Sequence, residues 1–198
     1  MIAAIILAAG ASRRMGCPKA LLQIDGRTFV RRLVEVLQSA QLDTIVVVLG
    51  AHAQQVSDEI VGLNVLTVVN EEYEKGQLSS LLTGIDFVEP QCLDAVLVCP
   101  VDHPSVSREV VVSLVGAFKE RSALIAVPTF KGRRGHPVLF SRTLFDELRG
   151  APADVGARHV LRSHAADVVE VGVVDEGVLV NVDTWDDYRE LQRRHRLL

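Results

Sequence analysis

Residues 2–19 read Ile-Ala-Ala-Ile-Ile-Leu-Ala-Ala-Gly-Ala-Ser-Arg-Arg-Met-Gly-Cys-Pro-Lys, an apolar run followed directly by a basic loop of small residues. The run from Ile2 to Ala8 is apolar on both faces, which is typical of a buried strand in a parallel sheet. A signal peptide would need a basic segment ahead of the run, whereas here Arg13 and Arg14 follow it. The stretch therefore predicts a first, buried strand with a polar loop at its carboxyl end.

The loop after this strand carries two glycines, a serine and three cations. In open α/β sheets, ligands bind beyond the carboxyl ends of the strands, and small residues there let backbone N–H groups approach a polyanion. A Walker A loop is absent because two residues separate Gly16 from Lys19, and the dinucleotide-binding fingerprint is absent because Ser12 replaces its second glycine. The loop predicts phosphate binding, and a surface loop that is merely basic is the alternative.

The rest of the chain alternates between apolar runs that suit strands and amphipathic stretches that suit helices. Helical patterns follow Thr28, a candidate N-cap, and Ser107, a shorter one ends at Gly150, and a final helix is expected over 185–198. The strand-type runs are Thr44 to Leu49, Val65 to Val69, Ala95 to Cys99, Leu124 to Val127 and Val168 to Val171. This alternation predicts one α/β domain over residues 1–198, a three-layer α/β/α Rossmann-like fold with a mainly parallel mixed sheet.

The composition is that of an ordinary globular protein, with 198 residues, 48% hydrophobic and 23% charged. A formal net charge of −4 provides no overall basic field to hold a nucleic acid. The charges are unevenly spread: residues 1–24 hold three cations and no acid, and residues 121–145 hold five cations and no acid, which leaves −12 on the remainder. An acidic body with two basic segments suits the binding of two small polyanions.

Three cysteines, Cys17, Cys92 and Cys99, are an odd number, which favours reduced thiols in the cytoplasm over a disulfide framework. Cys92 and Cys99 are seven residues apart, which is not a zinc-ligand spacing, so each cysteine is expected as a small buried side chain. No apolar run approaches the ~20 residues that a membrane span requires. The sequence therefore predicts a soluble cytoplasmic protein with no membrane or nucleic-acid partner.

The loop segment from Leu7 to Lys19 resembles the Leu-Ala-Ala-Gly-x-Ser-x-Arg-Met-Gly-x-x-Lys signature of the MobA-like nucleotidyltransferases, and every fixed position is matched. The likeness is greatest to the cytidylyltransferase branch of that family, which acts on the molybdenum cofactor. It implies an α/β fold of the nucleotide-diphospho-sugar transferase type. The resemblance assigns Leu7, Ala8, Ala9 and Gly10 to nucleotide binding, and Arg14 and Lys19 to holding the triphosphate and to catalysis.

An acid follows one strand-type run in the segment Val98-Cys99-Pro100-Val101-Asp102-His103-Pro104. An oxygen-ligated Mg²⁺ could lie there between protein and phosphate. Taken alone, however, an Asp close to a proline is more often a turn or helix-entry residue. The resemblance implies that Asp102 is a magnesium ligand.

The segment from Val180 to Tyr188 resembles the Asp-Ile-Asp-Thr-Pro-Glu-Asp segment of the same family. This likeness implies that Asp183 is the second magnesium ligand. Asn181 stands where the family more commonly has an acid, and Trp185 stands where it has a proline. The alternative is that Asp183 or Thr184 only caps the final helix.

The segment from Gly76 to Gly84 is a Gly and Ser entry into a helix, which on its own indicates ordinary N-capping. It is similar to the Gly-x-x-x-Ser segment with which the family contacts the base and the ribose. The resemblance therefore implies nucleotide-binding roles for Gly76 and Ser80.

The basic segment from Lys131 to Phe140 looks like the Arg-Gly-His-Pro-Val segment of the cytidylyltransferase branch. Its cations and glycines suit the phosphate of a second substrate, and a solvated basic loop is the alternative. The residues that this likeness implies for acceptor binding are Arg134, Gly135 and His136, with His103 lining the pocket. The other histidines, His52, His159, His164 and His195, are expected at the surface.

The residues and the resemblance together predict transfer of CMP from CTP to the phosphate of molybdopterin, with Mg²⁺ as cofactor and pyrophosphate as second product. The guanylyl branch has Gly-Gly where this chain has Ala9-Gly10, and the methyl group of Ala9 would narrow the base pocket, an effect worth about 1–3 kcal/mol. A molybdoenzyme or its chaperone is a further expected partner. The alternatives are transfer from GTP, transfer to another phosphorylated acceptor, and an inactive module that binds and delivers the molybdenum cofactor.

Overall fold

The computed structural model describes residues 1–91 and 93–195. Its strands are β1 (Ile2–Leu7), β2 (Gln23–Ile24), β3 (Arg27–Thr28), β4 (Thr44–Leu49), β5 (Leu66–Val69), β6 (Ala95–Pro100), β7 (Ile125–Phe130), β8 (Arg133–Arg134), β9 (Val138–Ser141) and β10 (Val168–Gly172). Its α-helices are α1 (Phe29–Ser39), α2 (Ala53–Glu59), α3 (Gln77–Val88), α4 (Arg108–Arg121), α5 (Phe145–Arg149), α6 (Arg158–Ser163) and α7 (Trp185–His195).

The main sheet has the strand order β10-β7-β9-β6-β1-β4-β5, with β8 paired to β7. Strand β9 is antiparallel to both of its neighbours, and the other pairs along this order are parallel. Successive side chains of β1 enter two separate cores, because strand side chains alternate between faces. Ile2 and Ile6 pack with α1 and α4, whereas Ala3 and Ile5 pack with α3 and α5. The predicted three-layer α/β/α fold with a mainly parallel mixed sheet is therefore confirmed.

The predicted strands lie within three residues of those observed, but the sheet differs from expectation in the exposure of its two edge strands, β5 and β10, and in the presence of β8 and β9. Apolar runs such as Val65 to Val69 suit strands that are covered on both faces, but β5 is an edge strand, and its Leu66 and Val69 are each 44% exposed. Strand β9 was not predicted. Its apolar run is only Val138-Leu139-Phe140, and it lies within the basic segment from Lys131 to Phe140, which was interpreted as a loop that binds an acceptor.

The long helices begin where their sequence patterns predict. The Thr28 hydroxyl caps α1 by accepting a hydrogen bond from the Arg31 N–H at 3.4 Å. Ser107 directly precedes α4, although its hydroxyl makes no capping bond, and Gly150 directly follows α5. The predicted final helix is observed up to His195, and its continuation over 196–198 lies outside the described residues. The short helices α2 and α6 were not predicted.

The cysteines differ in burial. Cys99 is buried, as predicted, and burial raises the pKa of its thiol. Cys17 is only partly buried, and Cys92 lies outside the described residues. Within the described ranges, no helix has the length and apolar character needed to cross a membrane.

Two glycines in helices show how closely α3 and α4 pack against their neighbours. A Cβ on Gly84 of α3 would lie 2.6 Å from Ile5 Cγ2, whereas a Cβ on Gly116 of α4 would meet no described atom within 4 Å. Alanine favours a helix over glycine by about 1 kcal/mol, and overpacking a core costs about 1–3 kcal/mol. We expect Gly116→Ala to raise the free energy of unfolding by about 0.5–1 kcal/mol and Gly84→Ala to lower it by about 1–2 kcal/mol. Urea denaturation measures both, and a stabilised Gly84→Ala would contradict the close contact of α3 with β1.

Candidate active site

A cavity of about 450 Å³ lies at the carboxyl ends of β1, β4 and β6. Its volume is within the range of small-molecule sites. Every residue that the sequence assigned to the nucleotide or to the metal lines this cavity: Leu7, Ala8, Ala9, Gly10, Arg14, Lys19, Gly76, Ser80, Asp102 and Asp183. The structure thus brings together side chains from four separate segments of the chain, while their roles stay predictions.

The loop after β1 is held in place by its own hydrogen bonds. Ser12 adopts a left-handed conformation with φ 50°, and its Oγ accepts a hydrogen bond from the Lys19 backbone N–H at 3.1 Å. The Met15 side chain is buried, and its backbone carbonyl accepts a hydrogen bond from Trp185 Nε1 at 3.2 Å. These contacts leave Arg14 exposed at the cavity and turn Lys19 inward.

Lys19 joins two carboxylates at the centre of the site. Its Nζ donates to Asp183 Oδ1 at 2.6 Å and to Asp102 Oδ2 at 3.3 Å. The Arg14 guanidinium lies 4.0 Å from Asp183. The hydrogen bond from Lys19, with its charge and that of Arg14, lowers the pKa of Asp183. Asp183 is therefore ionised at neutral pH.

Asp183 is presented by the segment that enters α7. The Val182 N–H donates to the Asp102 backbone carbonyl at 2.9 Å, so the two acidic segments are tied directly. Thr184 caps α7: its N–H donates to Asp187 Oδ2 at 2.7 Å, and the Asp187 N–H donates to Thr184 Oγ1 at 3.2 Å. The capping role thus belongs to Thr184 and Asp187, and the Asp183 carboxylate is directed to Lys19 instead.

The two carboxylates are a donor set that suits a divalent cation. Mg²⁺ is usually bound by one or two carboxylates together with waters and substrate phosphates. In the part of the chain that the structure describes, no three His, Cys, Asp or Glu side chains form a metal-binding group, so these two carboxylates suit a cation that also takes ligands from substrate phosphates or water. The Lys19 ammonium, which bonds to both carboxylates, shows that the site accommodates a cation. Asp102 and Asp183 therefore fit the predicted metal ligands.

The entry to α3 forms the opposite wall of the cavity. Gly76 occupies the N-cap position with φ 102°, a conformation that favours glycine. Ser80 is buried, lies one turn into the helix, and its Oγ accepts a hydrogen bond from Asn70 Nδ2 at 3.0 Å. Ordinary N-capping therefore accounts for Gly76 but not for Ser80.

The residues predicted to bind an acceptor lie beside the cavity rather than in its walls. The Arg134 Nε donates to Glu170 Oε1 of β10 at 2.8 Å. The His136 backbone N–H donates to the Val178 carbonyl at 2.9 Å, and a Cβ on Gly135 would lie 2.3 Å from the same oxygen. Glycine is therefore required at position 135 for close backbone packing, and Arg134 is paired with an acid.

His103 and His136 pack against each other next to the acids, with ring centroids 4.4 Å apart and ring planes inclined by 49°. Burial lowers the pKa of each imidazole to about 4, so both are neutral at neutral pH. Within the described residues, neither Nδ1 atom has a hydrogen-bond partner. Neutral rings can offer an acceptor a hydrogen bond or a stacking surface, but no charge.

Sequence reasoning missed several residues of the cavity. His52 was expected at the surface, yet it lines the cavity because it follows the carboxyl end of β4. Tyr73 and Gln77 also line it, on either side of the predicted Gly76. The rule that ligands gather beyond strand ends could have found His52. Among the other histidines expected at the surface, His159 is exposed, and His164 and His195 are partly buried.

Comparison with known proteins extends over almost the whole chain. A family model described as the MobA-like NTP transferase domain matches residues 4–168. The Purine catabolism protein PucB of Bacillus subtilis (strain 168) is 30% identical over 201 residues, covering 96% of this chain and 95% of that protein. The Probable molybdenum cofactor guanylyltransferase of Bacillus cytotoxicus is 26% identical and the Nicotine blue oxidoreductase of Paenarthrobacter nicotinovorans 31% identical, each covering 96% of both chains.

Solved structures show the same fold. Rv0371c from Mycobacterium tuberculosis H37Rv matches with a TM-score of 0.86 at 32% identity, covering 97% of each chain. The complex of Rv0371C with manganese from the same organism matches with a TM-score of 0.81 at 29% identity, covering 97% of this chain and 98% of that chain. The fold and these likenesses define a protein of the nucleotidyltransferase class. The chain belongs to the MobA-like NTP transferase family, which confirms the resemblance drawn from its sequence.

The buried histidine pair makes the stability of the protein sensitive to acid. An unfolded imidazole takes up its proton near pH 6.5, whereas His103 and His136 do so only near pH 4 in the folded protein. Between these values the unfolded state binds more protons, so the free energy of unfolding falls as the pH falls. Lowering the pH from 7 to 5 should decrease the free energy of unfolding of both proteins, as measured by urea denaturation. We expect the decrease in His136→Phe to be smaller than that in wild type by on the order of 1–2 kcal/mol.

His159, which is exposed, provides the matched control for replacing a histidine with phenylalanine: if burial of His136 is the cause, His159→Phe changes the dependence on pH less than His136→Phe does. An unchanged pH dependence in His136→Phe would show that this imidazole titrates normally in the folded protein.

Proposed function

We propose that the protein transfers CMP from CTP to the phosphate of molybdopterin, with Mg²⁺ as cofactor and pyrophosphate as the leaving group. The observation that carries the proposal is the meeting of Arg14, Lys19, Asp102 and Asp183 in one cavity at the carboxyl edge of the sheet. Two cations beside two carboxylates suit a triphosphate and the divalent cation that accompanies it. The relatives named molybdenum cofactor guanylyltransferase support the molybdenum cofactor as acceptor.

In the proposed reaction, an oxygen of the acceptor phosphate forms a bond to the α-phosphorus of the triphosphate. The bond between that phosphorus and the oxygen bridging to the β-phosphorus breaks, and pyrophosphate leaves with the electron pair. Arg14 and Lys19 offset the charge that develops on the α-phosphate and on the leaving group. A magnesium ion held by Asp102 and Asp183 would neutralise phosphate charge. The acceptor phosphate is already ionised at neutral pH, so the neutral His136 is assigned to orientation rather than to proton transfer.

The choice of CTP rests on the loop and on the segment beside the cavity. Ala9 lines the cavity and is buried, at 3% exposed. Its methyl group, which a glycine would lack, favours the smaller pyrimidine base by about 1–3 kcal/mol. The Arg134-Gly135-His136-Pro137 segment supports the same branch of the family through its resemblance. GTP is the second candidate, because several relatives are named molybdenum cofactor guanylyltransferase.

Release of pyrophosphate tests the proposal. The wild-type protein is incubated with Mg²⁺, molybdopterin and one of CTP, GTP, ATP or UTP. We expect release that requires molybdopterin and is fastest with CTP. Release with GTP alone would retain the reaction and overturn the base assignment. No release with any triphosphate would contradict the proposed function and favour a module that only binds the molybdenum cofactor.

Two substitutions test the assigned roles. Lys19→Ala and Asp102→Ala should each lower kcat by about 10²–10³, because each removes a preorganised charge at the reacting phosphates. Circular dichroism and thermal melting check that the variants are folded. Lys119→Ala and Asp186→Ala change an exposed lysine and an exposed aspartate away from the cavity, and they should turn over at the wild-type rate. Wild-type turnover in Lys19→Ala or Asp102→Ala would remove that residue from the mechanism.

A further inference from the structure

Asn70 is a buried polar residue next to the cavity to which neither the sequence nor the proposed function assigns a role. It directly follows β5, its side chain is 4% exposed, and its backbone N–H donates to the Leu49 carbonyl at 2.8 Å. Its side chain makes three hydrogen bonds, all with the segment 72–80 that leads into α3. Asn70 therefore links the end of a strand to one wall of the cavity.

The orientation of the Asn70 amide follows from its partners. Its Oδ1 accepts a hydrogen bond from the Glu72 backbone N–H at 2.9 Å. A backbone N–H can only donate, so the carbonyl side of the amide must face Glu72. The Nδ2 group then faces the helix, where it donates to Ser79 Oγ at 2.9 Å and to Ser80 Oγ at 3.0 Å.

The two serines use their protons differently. Ser79 Oγ donates to the Gly76 carbonyl at 2.8 Å, so its single proton already has an acceptor. Ser80 Oγ accepts from Asn70, and within the described residues no hydrogen-bonded acceptor takes its proton. Ser80 lines the cavity, while its side chain is otherwise buried. The Ser80 proton is therefore available to a ligand in the cavity.

We propose that Asn70 is a positioning residue that holds the Ser80 hydroxyl as a hydrogen-bond donor to the bound nucleotide. The proposal rests on the proposed function, because it takes the cavity as the nucleotide site. It also fixes the chemistry of the contact: Ser80 meets an acceptor atom of the nucleotide, such as a base carbonyl, a ring nitrogen or a ribose oxygen. A donor group at the same place could use only the remaining lone pair of Ser80 Oγ and would leave the Ser80 proton without an acceptor, so it would be disfavoured.

The near-isosteric substitution Asn70→Asp tests the proposal because it replaces the donating NH₂ group with an acceptor. The aspartate would take the Ser80 proton and leave only acceptor lone pairs toward the cavity. We expect Asn70→Asp and Ser80→Ala each to weaken binding about tenfold, which corresponds to the loss of one hydrogen bond. Binding is measured by calorimetry, without molybdopterin, using the magnesium complex of whichever triphosphate the wild type binds most tightly.

The double variant Asn70→Asp/Ser80→Ala separates positioning from a general structural role. If Asn70 acts through Ser80, the loss in the double variant is smaller than the sum of the two single losses, even though the added carboxylate also repels the triphosphate. If Asn70 only supports the fold around α3, the two losses add, and the proposal is overturned. Ser79→Ala is the matched control, since it removes the other serine bonded to Asn70 and should keep wild-type affinity.

Three further outcomes also decide the question. Wild-type affinity in Ser80→Ala contradicts the proposal even if Asn70→Asp proves too unstable to measure, and thermal melting identifies that case. If the wild type binds a triphosphate and Asn70→Asp binds it with the same affinity, the positioning role alone is contradicted. A wild-type protein that binds none of CTP, GTP, ATP and UTP contradicts the proposed function and this assignment together.

Discussion

The ion pairs of Lys19 with Asp183 and Asp102 are the interaction on which the rest of the site depends. They join the loop after β1, the end of β6 and the entry to α7, segments that are far apart in the chain. The Lys19 side chain is only 14% exposed, so water and salt screen these charges less than they screen surface pairs. One ammonium faces two carboxylates, which leaves a net negative charge that the more exposed Arg14 only partly offsets. A second cation is therefore favoured at this position.

The rest of the molecule keeps these groups at fixed positions. The parallel pairing of β1 with β4 and β6 places the carboxyl ends of all three strands at one edge, where the polar loops converge. Ser12 holds the backbone of Lys19, and the Thr184 cap of α7 leaves Asp183 free to face it. Of the two basic segments seen in the sequence, both of which the structure describes in full, only one places cations in the cavity. Arg14 and Lys19, from the basic segment of residues 1–24, line the cavity. Arg134, from the basic segment of residues 121–145, is instead paired with Glu170 beside the cavity.

The sequence was sufficient for the fold class and for the cavity residues assigned to the nucleotide and the metal, because both depend on short local segments. Apolar runs determine β1, β4 and β6, and short motifs directly after strands determine the loop and Asp102. Strand β9 escaped prediction because its apolar run has only three residues and lies within a basic segment, whereas its place between β6 and β7 is set by antiparallel pairing. Asn70 and His52 were also missed, since their importance arises from contacts between distant segments that no local pattern encodes.

The binding of Mn²⁺, followed by electron paramagnetic resonance without nucleotide, tests most directly whether Lys19 occupies a cation site formed by Asp102 and Asp183. Lys19→Met removes the ammonium group that competes with a metal ion for the two carboxylates. This variant should therefore bind free Mn²⁺ about tenfold more tightly than wild type, a difference of about 1.4 kcal/mol in binding free energy. Asp183→Asn should bind Mn²⁺ more weakly than wild type, because it retains the ammonium and loses a carboxylate. Equal Mn²⁺ affinity in all three proteins would contradict the account.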